Sequence, residues 1–304
     1  MKILTRASQI EAPSAGSTRA VVMTMGALHE GHLALVRHAR EIADQVLVTI
    51  FVNPLQFNDP ADLEQYPRTL EADCALLEAH GVDLVYAPAE SDVYPSGVPI
   101  VSVCAGTIND VFEGALRPGH FDGVLTVVLK LMNLTRPDIA VFGAKDAQQV
   151  IAVRSMVRDL NVPVEVSLAP TVRDEDGLAR SSRNVFLSTG ERADALALSK
   201  ALSAADACAQ TGAGVADVLR AGRAVLDAFP GALTDYFAAL DPASAHAVPS
   251  DYRGEVVIAV AARVGQTRLI DNVTTSIGTT PRLGAGRHVG GPGGTPLREE
   301  PRDF

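Results

Sequence analysis

The chain has 304 residues, of which 47% are hydrophobic and 20% are charged, and its formal net charge is −10. This composition is typical of a globular protein long enough for two ordinary domains. The negative charge argues against broad binding to nucleic acid or to an anionic membrane. Three widely spaced cysteines, without a Cys-x-x-Cys pair or an apolar run of 18 residues, predict a reduced, cytoplasmic protein that has no membrane span.

The first informative elements are an apolar strand at residues 20–22 and the stretch MTMGALHEGH at 23–32, which leads into a helical pattern. Its two glycines permit a tight turn and a close approach to a ligand, and a helix N-terminus suits phosphate. His29 and His32 would share one face and could donate hydrogen bonds during phosphoryl or nucleotidyl transfer. A lone histidine there would usually be structural. A zinc site is disfavoured because the zincin spacing is four residues and no third ligand is obvious.

Residues 45–52 (QVLVTIFV) predict a parallel strand, and Asn53 and Gln56 follow its carboxyl end. Ligands of open α/β sheets bind beyond the carboxyl ends of strands. Both side chains are therefore candidates for contact with a small polar substrate. Forming a turn is the commoner role of an Asn-Pro pair, whereas Gln56 has no such explanation.

The middle of the chain alternates between helices and strands. We predict a helix over 68–80 capped by Gly81, strands over 83–87 and 100–103, and a helix over 124–134. Pro118 and Gly119 mark a turn ahead of this last helix. Arg117 on that turn could meet an anion, although a surface salt bridge is the favoured interpretation of this stretch alone.

The strand–glycine–helix pattern recurs where a strand over 138–142 runs into GAKDAQQ and a helix that extends to about residue 160. Lys145 can place a positive charge on a phosphate. Asp146 can accept hydrogen bonds from a ribose, and Gln149 lies on the same face one turn later. Asp146 could equally serve only as a helix N-cap.

A last strand of this region is predicted over 163–170, and the polar loop Ser-Ser-Arg-Asn follows at 181–184. Two hydroxyls beside Arg183 could bind a triphosphate through short hydrogen bonds and a guanidinium. As a lone feature, this loop is a weak signal.

After residue 188 the pattern changes. Alanine-rich helices are predicted over 189–209 and 215–229, strands over 233–240 and 256–264, and a short edge strand over 268–272. We therefore predict an α/β fold in which a Rossmann-like parallel-sheet domain (1–171) is followed by a smaller α+β domain (172–277). Residues 278–304, rich in Gly, Pro and Arg, predict a disordered tail.

The motifs together carry a family resemblance. HEGH at 29–32 is similar to the His-x-Gly-His signature of the nucleotidyltransferase superfamily. MTMGALHEGH, FVNPLQF, RPGHFDGV, FGAKDAQQ and SSRN, in that order, resemble the pantothenate synthetase (pantoate–β-alanine ligase) family up to about Asn272. The resemblance implies ATP-dependent condensation of pantoate with β-alanine through a pantoyl-adenylate, with release of AMP and pyrophosphate. It also implies a magnesium requirement, a cytoplasmic homodimer and a place in pantothenate and coenzyme A biosynthesis.

The resemblance also assigns site residues. His32 would act as the acid at the phosphate, and His29, Lys145 and Arg183 would complete the catalytic set. Gln56 and Gln149 would bind pantoate, and Gln56 would also reach β-alanine. The ATP site would comprise Met25, Gly26, Ala27, Leu28, His29, Glu30, Gly31, His32, Gly143, Ala144, Lys145, Asp146, Val172, Arg180, Ser181, Ser182 and Arg183.

Some positions depart from the family pattern. Position 144 is Ala where Glu is common, and position 180 is Arg where an apolar residue is common, which adds charge beside the expected triphosphate. The acids after Tyr66 are reduced to Glu71 and Asp73, so we assign no metal ligands and expect magnesium to arrive bound to ATP.

Two alternatives stay open at this point. A nucleotidyltransferase that acts on another small substrate would share His-x-Gly-His, although Gln56 and Gln149 favour a small polar acid and no basic tract for a phosphorylated acceptor is evident. A non-catalytic nucleotide sensor would bind ATP without turnover, and the intact catalytic set disfavours it.

Overall fold

The computed structural model describes residues 1–57 and 60–279, so the predicted tail lies outside the described residues except for its first two positions. Its larger sheet has six parallel strands in the order β1-β4-β3-β2-β5-β6. These strands are β1 (Lys2–Leu4), β2 (Arg19–Thr24), β3 (Gln45–Ile50), β4 (Leu84–Tyr86), β5 (Ile139–Gly143) and β6 (Glu165–Ala169). The predicted α/β class is thereby confirmed, and β1, a three-residue edge strand, is an addition to the prediction.

Helices cover both faces of this sheet. They are α1 (Glu30–Ile42), α2 (Pro60–Gln65), α3 (Leu70–Ala79), α4 (Glu90–Val93), α5 (Phe112–Leu116), α6 (His120–Thr135) and α7 (Ala147–Asp159). In β2, Val21 faces the core that contains α6 and α7, whereas Val22 faces the core that contains Val36 of α1 and Leu77 of α3. Because both faces are buried, the strands are continuous apolar runs, which made them predictable.

The smaller unit consists of two helices on an antiparallel sheet of three strands. Its elements are α8 (Thr189–Ala209), α9 (Val215–Leu226), β7 (Ala232–Leu240), β8 (Gly254–Val264) and β9 (Thr267–Ile277). Ile258 and Val260 of β8 pack with α8 and α9, whereas Val257 and Ala259 pack on the opposite face beside Phe112 of the larger unit. The boundary between residues 171 and 172 stays a prediction.

Two predicted strands differ from the structure. Residues 100–103 form no strand, and Ile100 and Val101 are 100% and 84% exposed, so their β-branched composition was misleading there. The predicted edge strand 268–272 is part of the longer strand β9, which pairs with β8 along its whole length. Its many polar residues obscured the alternation of apolar and polar positions that marks a strand in the sequence. In the described residues, no helix is long and apolar enough to cross a bilayer.

Candidate active site

The predicted motifs meet at the carboxyl edge of the parallel sheet. Strand β2 lies between β3 and β5, and the chain runs from β2 outward to β3 on one side before it returns to β5 on the other. Such a reversal of strand order opens a crevice at the strand ends. The loops that follow β2, β3 and β5 therefore share this edge, which brings together the segments 25–32, 53–56 and 143–149.

The loop after β2 is fixed from behind by Asp73 of α3. This side chain, only 2% exposed, accepts hydrogen bonds from Ala27 N at 3.0 Å, Leu28 N at 2.8 Å and Thr69 Oγ1 at 3.1 Å. It holds Ala27 in the left-handed region, at φ +51°, where a non-glycine residue is strained. Sequence analysis identified Asp73 only as a remaining acid in a thinned cluster, because its partners are backbone amides that no motif announces.

His29 and His32 adopt one tautomer for a geometric reason. Nδ1 of His29 accepts a hydrogen bond from Gly31 N at 3.1 Å, and Nδ1 of His32 accepts one from His29 N at 3.3 Å. In a neutral imidazole the proton then lies on Nε2, so each ring keeps one N–H donor. The centroids of the two imidazole rings are 4.1 Å apart. A Cβ at Gly31 would lie 2.8 Å from Cε1 of His29, so this position needs glycine.

Both rings are electrically neutral at pH 7. Burial, followed by the charges of His29 and Lys145, lowers the pKa of His32 from 6.5 to about 3. Burial also lowers the pKa of His29, and Lys145 and Arg180 lower it further. The pair therefore forms a set of uncharged hydrogen-bond donors beside a lysine, an arrangement suited to a phosphate anion.

The loop after β3 presents Gln56 and uses Asn53 as its support. Asn53 is fully buried, and its Nδ2 donates to Gln56 Oε1 and to the carbonyl of Gly123, both at 3.1 Å. Its Oδ1 accepts from the hydroxyl of Tyr94 at 2.9 Å and from Leu55 N. Its polar atoms are thus occupied inside the protein, which favours the turn interpretation over the substrate contact that we predicted.

The segment RPGHFDGV at 117–124 supports the same loop. A Cβ at Gly123 would lie 2.2 Å from the carbonyl oxygen of Leu55, so glycine permits α6 to approach that loop. Nδ1 of His120 donates to the carbonyl of Gln56 at 3.0 Å, and Arg117 Nη1 donates to His120 Nε2 at 2.9 Å. Among the described residues no ion pair involves Arg117, and its hydrogen-bond partner there is His120 rather than a carboxylate.

The loop after β5 is held by the smaller unit. Nδ2 of Asn272 in β9 donates to the carbonyls of Ala144 at 2.9 Å and Lys145 at 2.6 Å. Burial lowers the pKa of Lys145, whereas Asp146 and Asp271 oppose that shift. Asp146 occupies the N-cap position of α7 but makes no capping hydrogen bond through its side chain. Its exposed carboxylate is therefore available for another partner, as the ribose hypothesis requires.

The Ser-Ser-Arg-Asn loop brings a further cation to the site. Ser181 caps a short 3-10 helix, Ser182–Phe186, by accepting from Arg183 N. The charge of Arg183 lowers the pKa of both Lys145 and Arg117, after the larger effect of burial on each. Arg180 is paired with Asp174 at 2.7 Å, and Asp174 is shared with Arg192. The extra charge at this departure from the family pattern is therefore only partly compensated, and it still lowers the pKa of His29.

A cavity lies between the parallel sheet and the smaller unit. On its far side, Glu113 accepts two hydrogen bonds from Arg268, at 2.7 and 2.8 Å, and one from the hydroxyl of Tyr236 at 2.9 Å. Burial alone would raise the pKa of Glu113, but the hydrogen bonds from Arg268 hold it below its usual value. The cavity wall includes Glu113, Arg117, His120, Lys145, Asp146, Gln149, Tyr236 and Asn272.

Comparison with known proteins agrees with these features. A family model described as pantoate-beta-alanine ligase matches residues 2–274. A protein named pantothenate synthetase from Streptomyces avermitilis is 47% identical, over 91% of this chain and 98% of its own length. Another of that name, from Thermobifida fusca, is 55% identical, over 85% of this chain and 90% of its own length.

Solved structures give the same result. A pantothenate synthetase from Thermus thermophilus has a TM-score of 0.84 and 46% identity, over 90% of this chain and 99% of that chain. A pantoate-beta-alanine ligase from Francisella tularensis, solved with beta-gamma ATP and beta-alanine, has a TM-score of 0.71 and 32% identity, over 90% of this chain and 97% of that chain. The predicted resemblance and ligase class are confirmed: this chain belongs to the pantoate-beta-alanine ligase family.

Proposed function

We propose that this site activates pantoate with ATP as a pantoyl-adenylate and transfers the pantoyl group to β-alanine, which releases AMP and pyrophosphate. The observation that carries the proposal is the pair of neutral imidazoles of His29 and His32 beside Lys145 at the reversal of strand order, whose Nε2–H groups have no hydrogen-bond acceptor among the described residues. Neutral donors and a single lysine suit a transferring phosphoryl group.

In the first step, a carboxylate oxygen of pantoate attacks the α-phosphorus of ATP, and the bond to the leaving pyrophosphate breaks in line. His29 and His32 donate hydrogen bonds to the charge that develops, and Lys145 and Arg183 balance the leaving phosphates. Gln56 and Gln149 hold pantoate. The remaining predicted nucleotide contacts, among them the segment 25–32, Val172 and Ser181–Ser182, belong to this proposal.

In the second step, the free amine of β-alanine attacks the acyl carbon of the mixed anhydride. The C–O bond to AMP breaks, the phosphate oxygen of AMP keeps the electron pair, and the nitrogen loses a proton. Magnesium would arrive on the phosphates of ATP. Among the described residues, no group of three potential ligand side chains is close enough to form a metal site of its own.

We also propose a cytoplasmic homodimer. All three cysteines are free thiols, which suits a reducing compartment. Val98, Ile100 and Val101 are 77%, 100% and 84% exposed on one segment, and such a run of apolar residues is more stable when covered by a second copy. Sedimentation equilibrium tests this assembly, and a monomer at micromolar concentration would reject it.

The test of the reaction is product analysis with MgATP and pantoate, with and without β-alanine. We expect pyrophosphate exchange into ATP with pantoate alone, and AMP and pantothenate only when β-alanine is added. A product that retains the nucleotide, with no use of the amine, would indicate the nucleotidyltransferase alternative. Binding of ATP without either reaction would indicate a nucleotide sensor.

A further inference from the structure

We propose that Arg117 binds the carboxylate of the amine substrate and that His120 links this subsite to the loop that carries Gln56. The inference rests on the proposed function, because it concerns the second substrate of the same site. It assigns a binding role to a side chain of the cavity wall that the two chemical steps above leave unused.

The geometry places Arg117 between the cavity and the Gln56 loop. Its Nη1 donates to His120 Nε2 at 2.9 Å, and His120 Nδ1 donates to the carbonyl of Gln56 at 3.0 Å. Burial and the charge of Arg117 lower the pKa of His120 to about 4, so the ring is neutral at pH 7. A neutral imidazole can donate a hydrogen bond from one nitrogen and accept one at the other. Within the described residues one of the five N–H groups of the guanidinium is engaged, the one that donates to His120. The side chain lines the cavity with Lys145 and Gln149.

Among the described residues, Arg117 forms no ion pair. Arg268 is bound to Glu113 and Asp235, and Arg173 is bound to Asp271. Glu113 and Asp146 are within electrostatic range of Arg117. Arg268 and Tyr236 occupy the oxygens of Glu113, and Asp146 acts on Arg117 only at longer range, without an ion pair among the described residues. In the parts of the chain that the structure describes, no carboxylate lies within ion-pair distance of Arg117.

Within the described residues, three cations at or near the cavity lack a carboxylate partner, namely Lys145, Arg183 and Arg117. The first two lie on the loops that carry the nucleotide motifs, where a triphosphate satisfies them. Arg183 and Arg117 also repel each other, since the charge of Arg183 lowers the pKa of Arg117. An anion bound beside Arg117 would relieve that repulsion, and in this proposal it is a second anion besides the triphosphate at Lys145 and Arg183.

The reaction offers two carboxylates, and only one suits an arginine. The pantoate carboxylate is the nucleophile of the first step, and a guanidinium bound to it would reduce its nucleophilicity. The carboxylate of β-alanine takes no part in either step and stays ionised throughout. A planar guanidinium can bind it through two parallel hydrogen bonds, which leaves the amine at the other end free to reach the acyl carbon.

The test separates the two half-reactions in Arg117→Gln and Arg117→Lys variants of the full chain. We expect Arg117→Gln to raise the KM for β-alanine by about 10- to 100-fold, a much larger factor than its effect on pantoate-dependent exchange of pyrophosphate into ATP, which reports any change passed through His120 to the Gln56 loop. Arg117→Lys keeps the charge but not the paired geometry, so it should give a smaller increase. The control is Arg220→Gln on α9, an exposed arginine paired only with Asp217 among the described residues, which should change neither quantity.

An alternative amine provides a readout that a merely structural role would not change. n-Propylamine replaces the carboxylate of β-alanine with a methyl group, so the ratio of kcat/KM for the two amines measures recognition of the carboxylate. We expect Arg117→Gln to reduce this ratio by at least about tenfold. An unchanged ratio, or a parallel loss of pyrophosphate exchange, would overturn the inference. Absence of exchange in the unaltered chain would instead reject the proposed function on which it rests.

Discussion

Replacing Asp73 with asparagine should impair catalysis although Asp73 contacts no reacting atom. The carboxylate accepts from two backbone amides, Ala27 N and Leu28 N, and from Thr69 Oγ1. Asparagine has one acceptor oxygen, so its NH₂ group would face one amide N–H and leave it without a partner. A buried donor left unpaired costs about 1–3 kcal/mol of the free energy of unfolding. The segment that leads to His29 would move to recover that loss.

We expect the kcat of pantoate-dependent pyrophosphate exchange to fall by about 10- to 100-fold, because a displacement of about 1 Å in a positioned group can cost about 100-fold in rate. Chemical denaturation and exchange kinetics on the same preparations provide the assay. The matched control is Asp83→Asn, since Asp83 accepts from Val46 N and from Arg40, both at 2.8 Å, beside the amino end of β3. A lower KM for ATP in Asp73→Asn with unchanged kcat would refute the argument, because Asp73 would then act only through its charge.

Two further predictions concern stability. The pKa of His32 in the folded protein, about 3, lies below its ordinary value of 6.5, so the unfolded chain takes up the proton first as the pH falls. The free energy of unfolding should therefore decrease between about pH 6.5 and 3, by up to about 1.4 kcal/mol per pH unit. Urea titrations over this range should show a shallower decrease for His32→Gln. An equally steep decrease in the variant would contradict this prediction. Gly123→Ala should cost about 1–3 kcal/mol and raise the KM for pantoate, because the new Cβ meets the carbonyl of Leu55. Gly190→Ala, where a Cβ meets nothing within 4 Å, is its control: it lies in α8, so it should leave the KM for pantoate unchanged and cost no stability.

The main elements of the site were predictable because they depend on local pattern. A strand, a glycine-containing turn and a helix start follow one another at residues 20–32 and again at 138–149, and the structure has β2 with α1 and β5 with α7 at these places. Apolar runs define such strands and polar residues mark their ends. The fold then brings the two turns to one edge, since parallel neighbours have their carboxyl ends on the same side.

The supports of the site were not predictable in the same way. Asp73 lies 45 residues from Leu28 in sequence, and His120 lies 64 residues from Gln56. Each binds a backbone group, whose identity is the same in every residue, so the sequence contains no matching partner to find. The electrostatic environment of Arg117 was not predictable either. It depends on the ion pair between Glu113 and Arg268, which are 155 positions apart in the sequence.

The supports have one physical consequence in common. Nδ1 of His29 and Nδ1 of His32 both accept from backbone amides, so each Nε2–H is fixed as a donor before any ligand arrives. Asn53 holds Gln56 from behind, and Asn272 holds the backbone at Lys145. His29, His32, Gln56 and the backbone at Lys145 are thus oriented by hydrogen bonds within the protein before a ligand binds. Little reorganisation is then needed when charge develops on a phosphate, and this low cost is the main source of electrostatic catalysis in such sites.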